Sequence, residues 1–204
     1  MATTDSLSPR LTDPPGGFGA RELDPLPRRK DFGERAITKP VSGSRSRNSQ
    51  SMKILEILDR RFIVPNLLSG EKEGVLRELV KVIAQAEKQV DEERMVEILL
   101  ERESLGSTGI GEGVAIPHGK SKTVKKLLAS FGRSVSGVDF QSMDGKPTHL
   151  FFLLVAAEES AGIHLKALAR ISRLMKDASV RKRLMEAETE DEMYAIFAEG
   201  DDKV

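Results

Sequence analysis

The sequence of 204 residues contains no cysteine and no tryptophan. Without cysteine, the chain can form no disulfide framework, no thiolate metal site and no cysteine nucleophile. Long apolar runs are also absent, since the longest, from Leu150 to Ala157, has eight residues. A membrane-spanning helix needs about 20 apolar residues. We therefore expect a soluble, cytoplasmic protein with no stable insertion in a membrane.

The chain also lacks an excess of charge of either sign. It has 32 basic and 32 acidic side chains, so its formal net charge is zero. A nucleic-acid-binding protein usually carries a clear positive excess, so nucleic acid is not an expected partner. Hydrophobic residues at 39% and charged residues at 31% are compatible with a globular core. The length suits one domain with an appendage, or two very small domains.

Residues 1–50 differ in composition from the rest of the chain. Pro, Gly and Ser occupy 17 of these 50 positions, the net charge is +3, and the apolar residues follow no helical or strand period. Such a segment cannot bury enough apolar surface to offset the entropy of ordering, which predicts a disordered tail. Its basic clusters, 28–30 and 45–47, either stay solvated or contact a partner or a membrane surface. The folded domain is then expected over residues 51–204.

From residue 52 onward, helical and strand patterns follow each other. Apolar residues at helical spacing predict helices, and Asp91 is the predicted N-cap of the second of them. The run before residue 156 is apolar throughout, which is typical of a central strand buried on both faces. The predicted helices cover 74–86, 92 to about 105, 161–176, 180–186 and 190–199, and the predicted strands cover 113–116, 127–132, 138–140 and 148–156. Asp144-Gly145 predicts a turn before the last strand. This order indicates an α/β layer fold with a mixed sheet.

The candidates for chemistry begin with three histidines. His118 follows an apolar strand and stands between Pro117, which has no N–H, and Gly119, which has no side chain. We interpret this setting as an imidazole offered at a strand end with one flank open, where sites are often built, although an inert histidine stays an alternative. His149 precedes the central strand without supporting neighbours, so we expect no function for it.

His164 is predicted to lie in the first turn of a helix that Ser160 caps. The free amides and positive potential of a helix N-terminus attract phosphate-like anions and disfavour an imidazolium. A neutral ring is therefore expected here, either as part of a site or as a partly exposed helix-start histidine.

Arg102 continues the apolar line of Met95, Ile98 and Leu99 along the second helix. A charged residue in such a line either extends to solvent or reaches into a pocket. The hydroxyls of Ser104, Ser107 and Thr108, and the amides of 109–113, are further candidate donors, although hydroxyls in glycine-rich loops usually form turns.

Two familiar kinds of site are excluded by spacing. A phosphate-binding loop requires G-x-x-x-x-G-K-S/T, whereas five residues separate Gly113 from Gly119 and one of them is Pro117; G-x-G-x-x-G is not matched either. No H-x-x-x-H or H-E-x-x-H spacing occurs, and a helix start is unfavourable for a cation. We expect neither a metal nor a cofactor.

Two blocks of sequence resemble a known family. Residues 99–119, LLERESLGSTGIGEGVAIPHG, resemble the active-site signature of enzyme IIA of the bacterial phosphotransferase system, fructose/mannitol type. Residues 142–155, SMDGKPTHLFFLLV, and 164–174, HLKALARISRL, match as well, and together the blocks are most similar to the nitrogen-regulatory branch. The resemblance covers about residues 52–200. It departs at Ala157, where Pro is expected, and does not extend to the first fifty residues.

The resemblance implies a mixed, largely parallel sheet flanked by helices on both faces, as in mannitol-type IIA. It also implies that His118 accepts a phosphoryl group from the phosphohistidine of HPr or a nitrogen-branch equivalent, with His164 and Arg102 lining the site. The downstream partner would be a regulatory target or, in the alternative of a sugar-specific IIA, a separate IIB. A binding module that is never phosphorylated is a third hypothesis. A phosphohistidine donor would make metal and nucleotide unnecessary.

Overall fold

The computed structural model describes residues 52–203, so the tail predicted over residues 1–50 lies outside the described residues. A short 3₁₀ turn, Ile54–Glu56, precedes the regular elements. Within residues 52–203 these elements are, in chain order, β1 (Leu58–Val64), α1 (Lys72–Ala86), α2 (Glu92–Ser104), β2 (Gly109–Gly111), β3 (Val114–Ala115), β4 (His118–Ser121), β5 (Leu128–Val138), β6 (Thr148–Ala157), α3 (Ala161–Lys176), α4 (Ala178–Glu186) and α5 (Glu190–Asp201). Within residues 52–203, none of the helices combines the length and the hydrophobicity that a membrane span requires.

The six strands form one mixed sheet around β6. The strand order is β1-β5-β6-β3-β2, and β4 also pairs with β6. Three pairings are parallel, those of β1 with β5 and of β3 and β4 with β6, whereas β5–β6 and β2–β3 are antiparallel. Since β5 occupies one edge of β6, β3 and β4 follow one another along its other edge. The predicted α/β fold with a mixed, largely parallel sheet is confirmed.

The helices cover both faces of the sheet. On β6, Phe152 packs with the side chains of α3, α4 and α5, and its neighbour Phe151 packs on the opposite face with those of α1 and α2. Both rings are fully buried. Because alternate side chains of a strand point to opposite faces, a strand covered on both sides must be apolar at every position. The continuous apolar run of β6 is explained in this way.

One strand prediction is wrong. The strands predicted over 127–132 and 138–140 are not two strands: β5 is continuous from Leu128 to Val138, ends at the first residue of the second prediction, and changes register on β6 between Arg133 and Val138. The irregularity includes Gly137, with a φ of 77°, and leaves Val135 61% exposed. A bulge of this kind interrupts the apolar alternation without ending the strand, which is why the pattern suggested two.

The glycine-rich segment contains β3, which lies within the strand predicted over 113–116, and also β2, which was not predicted. β2 and β3 form a hairpin through Glu112 and Gly113, whose φ values of 55° and 73° are typical of a two-residue type I′ turn. His118 was predicted to end a strand, yet it begins the additional strand β4, because Pro117 only separates β3 from β4 along β6 and Gly119 itself pairs with Val155 of β6. The turn at Asp144-Gly145 is confirmed.

Candidate functional site

His118 is held by β4 beside the central strand. It pairs with Leu154 of β6, and its ring is half-buried. The Nδ1 atom lies 2.8 Å from the carbonyl oxygen of Ile116, and Nε2 lies 3.2 Å from the Nε atom of Arg102. A carbonyl oxygen only accepts and a guanidinium only donates, so the proton resides on Nδ1 and the lone pair on Nε2. The contacts thus select one neutral tautomer.

The surroundings also favour the neutral form of this ring. Burial lowers the pKa of His118 below its ordinary value, and the positive charge of Arg102 lowers this pKa further, although the hydrogen bond to Ile116 acts in the opposite direction. At neutral pH the Nε2 lone pair is therefore available to an electrophile.

Arg102 reaches into the site from the last turn of α2. Its Nε donates to His118, and its Nη1 donates to the carbonyl oxygen of Gly106 at 3.0 Å. The sequence left open whether this side chain extends to solvent or reaches into a pocket, and in the structure it reaches the imidazole of His118. The guanidinium is fixed between a backbone oxygen and the imidazole.

Gly119 explains why α2 comes close enough for this contact. A Cβ atom at this position would lie 2.9 Å from Cγ2 of Ile98 and 3.4 Å from Cδ2 of Leu99, both on α2. The interpretation that Gly119 leaves the flank of the imidazole open is therefore wrong. Side chains of α2 occupy the space that a side chain at position 119 would need, so the glycine permits a close approach of α2 and β4.

His164 is the second imidazole of the site. Its ring centroid lies 5.5 Å from that of His118, with the ring planes inclined at 54°, and the residue is 5% exposed. Burial, followed by the charges of His118 and Lys120, lowers the pKa of His164 to about 4. The expected neutral ring is thus supported, and its Nδ1 atom has no hydrogen-bond partner within residues 52–203. The predicted cap is wrong in one respect, since the Ser160 hydroxyl donates to the carbonyl of Ala157 instead of accepting from the helix.

The candidate hydroxyls and amides of the loop between α2 and β3 hold the loop itself. The hydroxyl of Ser104 donates to the Glu101 carbonyl at 2.7 Å, and the hydroxyl of Ser107 donates to the Phe140 carbonyl at 2.9 Å. The amides of the glycine-rich segment are engaged as well: Gly109 with Ser107 Oγ, Gly111 with Ser142 Oγ and Glu112 with Asp144 Oδ2. The polar residues of the second resembling block thus support the loop.

Glu103 was not singled out from the sequence, although it is buried next to Arg102. Its carboxylate accepts from the amide of Thr108 at 2.9 Å, from the hydroxyl of Thr108 at 2.6 Å and from Nζ of Lys72 at 3.1 Å. Burial alone would raise the pKa of this carboxyl, but these donors outweigh it and lower the pKa below its ordinary value. An acidic residue in the last helical turn opposes the helix dipole, which is the signal that could have identified it.

His149 lies away from this site. It is five positions before Leu154, the partner of His118, which corresponds to about 16 Å along β6. Its Nδ1 atom lies 3.0 Å from the carbonyl of Ser134 on β5. The structure brings Arg102, His118 and His164 together and leaves His149 apart. Within residues 52–203, no three His, Asp or Glu side chains are grouped so that they could hold a metal ion.

The geometry offers a nucleophilic nitrogen, a fixed cation beside it and a second neutral imidazole. Sequence comparison finds similar proteins. The chain is 46% identical over 150 residues to the fructose-specific EIIABC component of the phosphotransferase system of Bacillus subtilis, covering 74% of this chain but only 24% of that relative. It is 41% identical over 147 residues to a nitrogen regulatory protein of Bradyrhizobium diazoefficiens, covering 72% of this chain and 95% of the relative.

Structure comparison agrees. The nitrogen regulatory protein IIA-Ntr of Neisseria meningitidis is 35% identical, and the match has a TM-score of 0.65 and covers 70% of this chain and 97% of that one. The family model for the phosphoenolpyruvate-dependent sugar phosphotransferase system, EIIA 2, matches residues 56–200, which include the site and all six strands. The chain therefore belongs to the EIIA 2 family of the phosphotransferase system.

Proposed function

We propose that this protein is a phosphocarrier of the nitrogen-regulatory type and that Nε2 of His118 accepts the phosphoryl group. The contact between the Arg102 guanidinium and Nε2 carries the proposal, because it places a fixed positive charge next to the lone pair that would attack the phosphorus. Transfer of a phosphoryl group depends mainly on positioning the reacting atoms and on stabilising the charge of the phosphoryl oxygens. A held imidazole would supply the first, and a fixed guanidinium would supply the second.

The proposed step moves one phosphoryl group between two imidazoles. The Nε2 lone pair of His118 attacks the phosphorus of a protonated phosphohistidine on HPr or its nitrogen-branch equivalent. The new N–P bond forms as the donor's N–P bond breaks, and the bonding electrons return to the donor ring, which leaves neutral. The proton on Nδ1 of His118 stays in place, where the carbonyl of Ile116 stabilises the imidazolium character of the product. The step needs no metal or nucleotide.

Arg102 and His164 are proposed to act on the phosphoryl oxygens. As the phosphorus approaches Nε2, the planar guanidinium stops donating to the imidazole lone pair and donates instead to the phosphoryl oxygens. His164 is neutral at physiological pH because its pKa is about 4, so its ring can donate one N–H to an oxygen without adding a second full positive charge. Both residues should therefore accelerate transfer, whereas His118 is required for it.

Incubation with phosphoenolpyruvate, enzyme I and HPr tests this proposal. Intact-mass measurement should show the gain of one phosphoryl group that is labile in acid and stable in base, and His118→Ala should gain none. A wild-type protein that takes up no phosphate with either HPr or the nitrogen-branch donor would contradict the proposal and favour a binding module. Equal uptake by His118→Ala would place the acceptor elsewhere.

The regulatory assignment is supported by two nitrogen regulatory proteins that match over nearly their full length. A sugar-specific IIA is the second candidate, since the relative from Bacillus subtilis is fructose-specific. The phosphorylated protein should be mixed with a fructose-type IIB in one reaction. Rapid transfer to the IIB would favour sugar uptake, and its retention on His118 would favour a regulatory carrier. For either candidate we propose a cytoplasmic location, where phosphohistidine donors of this system act.

A further inference from the structure

Glu103 lies one residue after Arg102 and is 7% exposed. We propose that Glu103 is a positioning residue for phosphoryl transfer: its carboxylate fixes the loop that holds the Arg102 guanidinium against His118. The inference rests on the phosphocarrier function proposed above. It assigns no contact between Glu103 and the phosphoryl group.

The carboxylate closes the loop onto the helix from which the loop emerges. Oε2 of Glu103 accepts both the amide and the hydroxyl of Thr108, so the two ends of the intervening segment, 104–107, are joined. Within that segment the amide of Gly106 donates to the carbonyl of Glu103 at 3.1 Å, and Gly106 has a φ of 146°, which favours glycine. The loop path that results points the Gly106 carbonyl at Nη1 of Arg102. A change in the loop would therefore move the guanidinium.

Lys72 of α1 compensates the buried negative charge. Its Nζ atom lies 3.1 Å from Oε1 of Glu103, 2.9 Å from Oε1 of Gln141 and 4.7 Å from the centroid of the Phe140 ring. Loss of Lys72 would leave the Glu103 carboxylate buried without a compensating charge. Through this ion pair, α1, the end of α2 and the segment before β6 converge on the loop beside the site.

The charge of Glu103 also reaches His118 directly. Burial, the dominant influence, lowers the pKa of His118, whereas the negative charge of Glu103 acts in the opposite direction. Neutralising Glu103 would by itself lower the pKa of His118 further, whereas displacement of Arg102 would raise it. Release of Arg102 also removes the donor that disfavours a proton on Nε2, so the tautomer of His118 separates a positioning role from a structural one.

Glu103→Gln in the full chain is the principal test, and Glu78→Gln is its matched control. Glu78 also accepts backbone amides at a helix, those of Leu68 and Ser69, but it does not contact the loop beside the site. With phosphorylated HPr in single-turnover experiments, we expect Glu103→Gln to lower the maximal rate on the order of 10- to 100-fold, the effect of misplacing a catalytic group by about 1 Å. The half-saturating concentration of HPr should not change.

Nuclear magnetic resonance of the histidine nitrogens supplies the second readout. In Glu103→Gln, the population of the His118 ring with its proton on Nε2 should increase, because Arg102 no longer donates to that atom, whereas Glu78→Gln should match the wild type. If Glu103→Gln does not fold, Thr108→Val replaces it, because it removes one donor to the carboxylate with little change in shape. It should lower the maximal rate about 3- to 10-fold, less than Glu103→Gln, because the amide of Thr108 still donates to the carboxylate.

Wild-type rates in Glu103→Gln, or in Thr108→Val where that variant is used, would overturn the inference. Equal losses in Glu103→Gln and Glu78→Gln, without a change in the His118 tautomer, would overturn it as well. In both cases a phosphorylated wild type would leave the phosphocarrier function standing. Failure of the wild type itself to accept phosphate would instead refute that function.

Discussion

Arg133, which is buried, and Arg102, which is half-buried, place the same guanidinium group among different partners. Arg133 of β5 is 8% exposed, and its guanidinium donates to the backbone carbonyls of Pro65, Met185 and Ala187. The guanidinium of Arg102 donates to one backbone carbonyl and to the imidazole of His118. Backbone oxygens cannot be exchanged for a ligand, whereas an imidazole lone pair can change its bonding partner. The partners of the two guanidiniums thus separate Arg133, which holds backbone segments together, from Arg102, for which we propose a role in phosphoryl transfer.

The largest expected effect is on Arg102. Arg102→Ala should lower the single-turnover rate of phosphoryl acceptance by about 100- to 1,000-fold, the usual effect of removing one fixed donor from a developing negative charge. The free energy of unfolding should change by less than about 1 kcal/mol, because the side chain is only half-buried. Stopped mixing with phosphorylated HPr and urea titration measure the two quantities. A loss of stability without a loss of rate would reverse the comparison.

Arg133→Met should give the opposite result. Loss of the guanidinium leaves three backbone carbonyls without their donor, so the free energy of unfolding should fall by about 2–4 kcal/mol. The rate per folded molecule should stay at the wild-type value, since Arg133 does not touch the site. Urea denaturation followed by circular dichroism checks the first expectation. A folded Arg133→Met protein that is slow in transfer would show that both arginines serve the reaction.

Gly119→Ala sharpens the comparison by changing only the distance between α2 and β4. The added methyl group would lie 2.9 Å from Ile98, so α2 must move outward and carry Arg102 with it. We expect a loss of about 1–3 kcal/mol in stability and roughly a tenfold slower transfer. Gly70→Ala is the control, because no atom lies within 4 Å of a Cβ at that position. Equal behaviour of the two variants would show that the close approach is not needed.

The smallest expected effect concerns pH and the buried imidazole of His164. A histidine whose pKa is about 4 in the folded state binds fewer protons than in the unfolded chain, where the pKa is about 6.5. Stability from this group is therefore present above pH 6.5 and is lost toward pH 4, at roughly 1 kcal/mol per pH unit. Urea midpoints at pH 7 and pH 5 measure the loss, which should be smaller in His164→Gln. An identical loss in that variant would assign the effect to other groups.

Much of the fold follows from local patterns. The helix predicted over 161–176 matches α3, and Asp91 caps α2 as predicted, because apolar periodicity and capping depend on near neighbours in sequence. The resemblance supplied Arg102, His118 and His164 as a group, and the structure brings all three together. Their individual settings alone left inert alternatives open for each.

What the sequence could not provide depends on distant residues. β4 consists of four residues whose strand structure comes from pairing with β6, more than 30 positions later, and it was concealed by Pro117 before it and by Gly119 within it. The ion pair of Glu103 joins it to Lys72, which is 31 positions away, so no local pattern reveals it. The packing of Gly119 against Ile98 likewise becomes visible only when helix and strand are in place.

The pairing of β4 with β6 has a further consequence for the lifetime of the site. His118 is attached through the backbone to the strand that is covered on both faces, and elements of this kind exchange their amide hydrogens only in global unfolding. The loop at 104–108 is exposed at three of its positions and can open in smaller fluctuations. We therefore expect the proposed acceptor nitrogen and the guanidinium of Arg102 to belong to units that open at different free energies. Brief openings of the loop would release Arg102 from a histidine that stays in place.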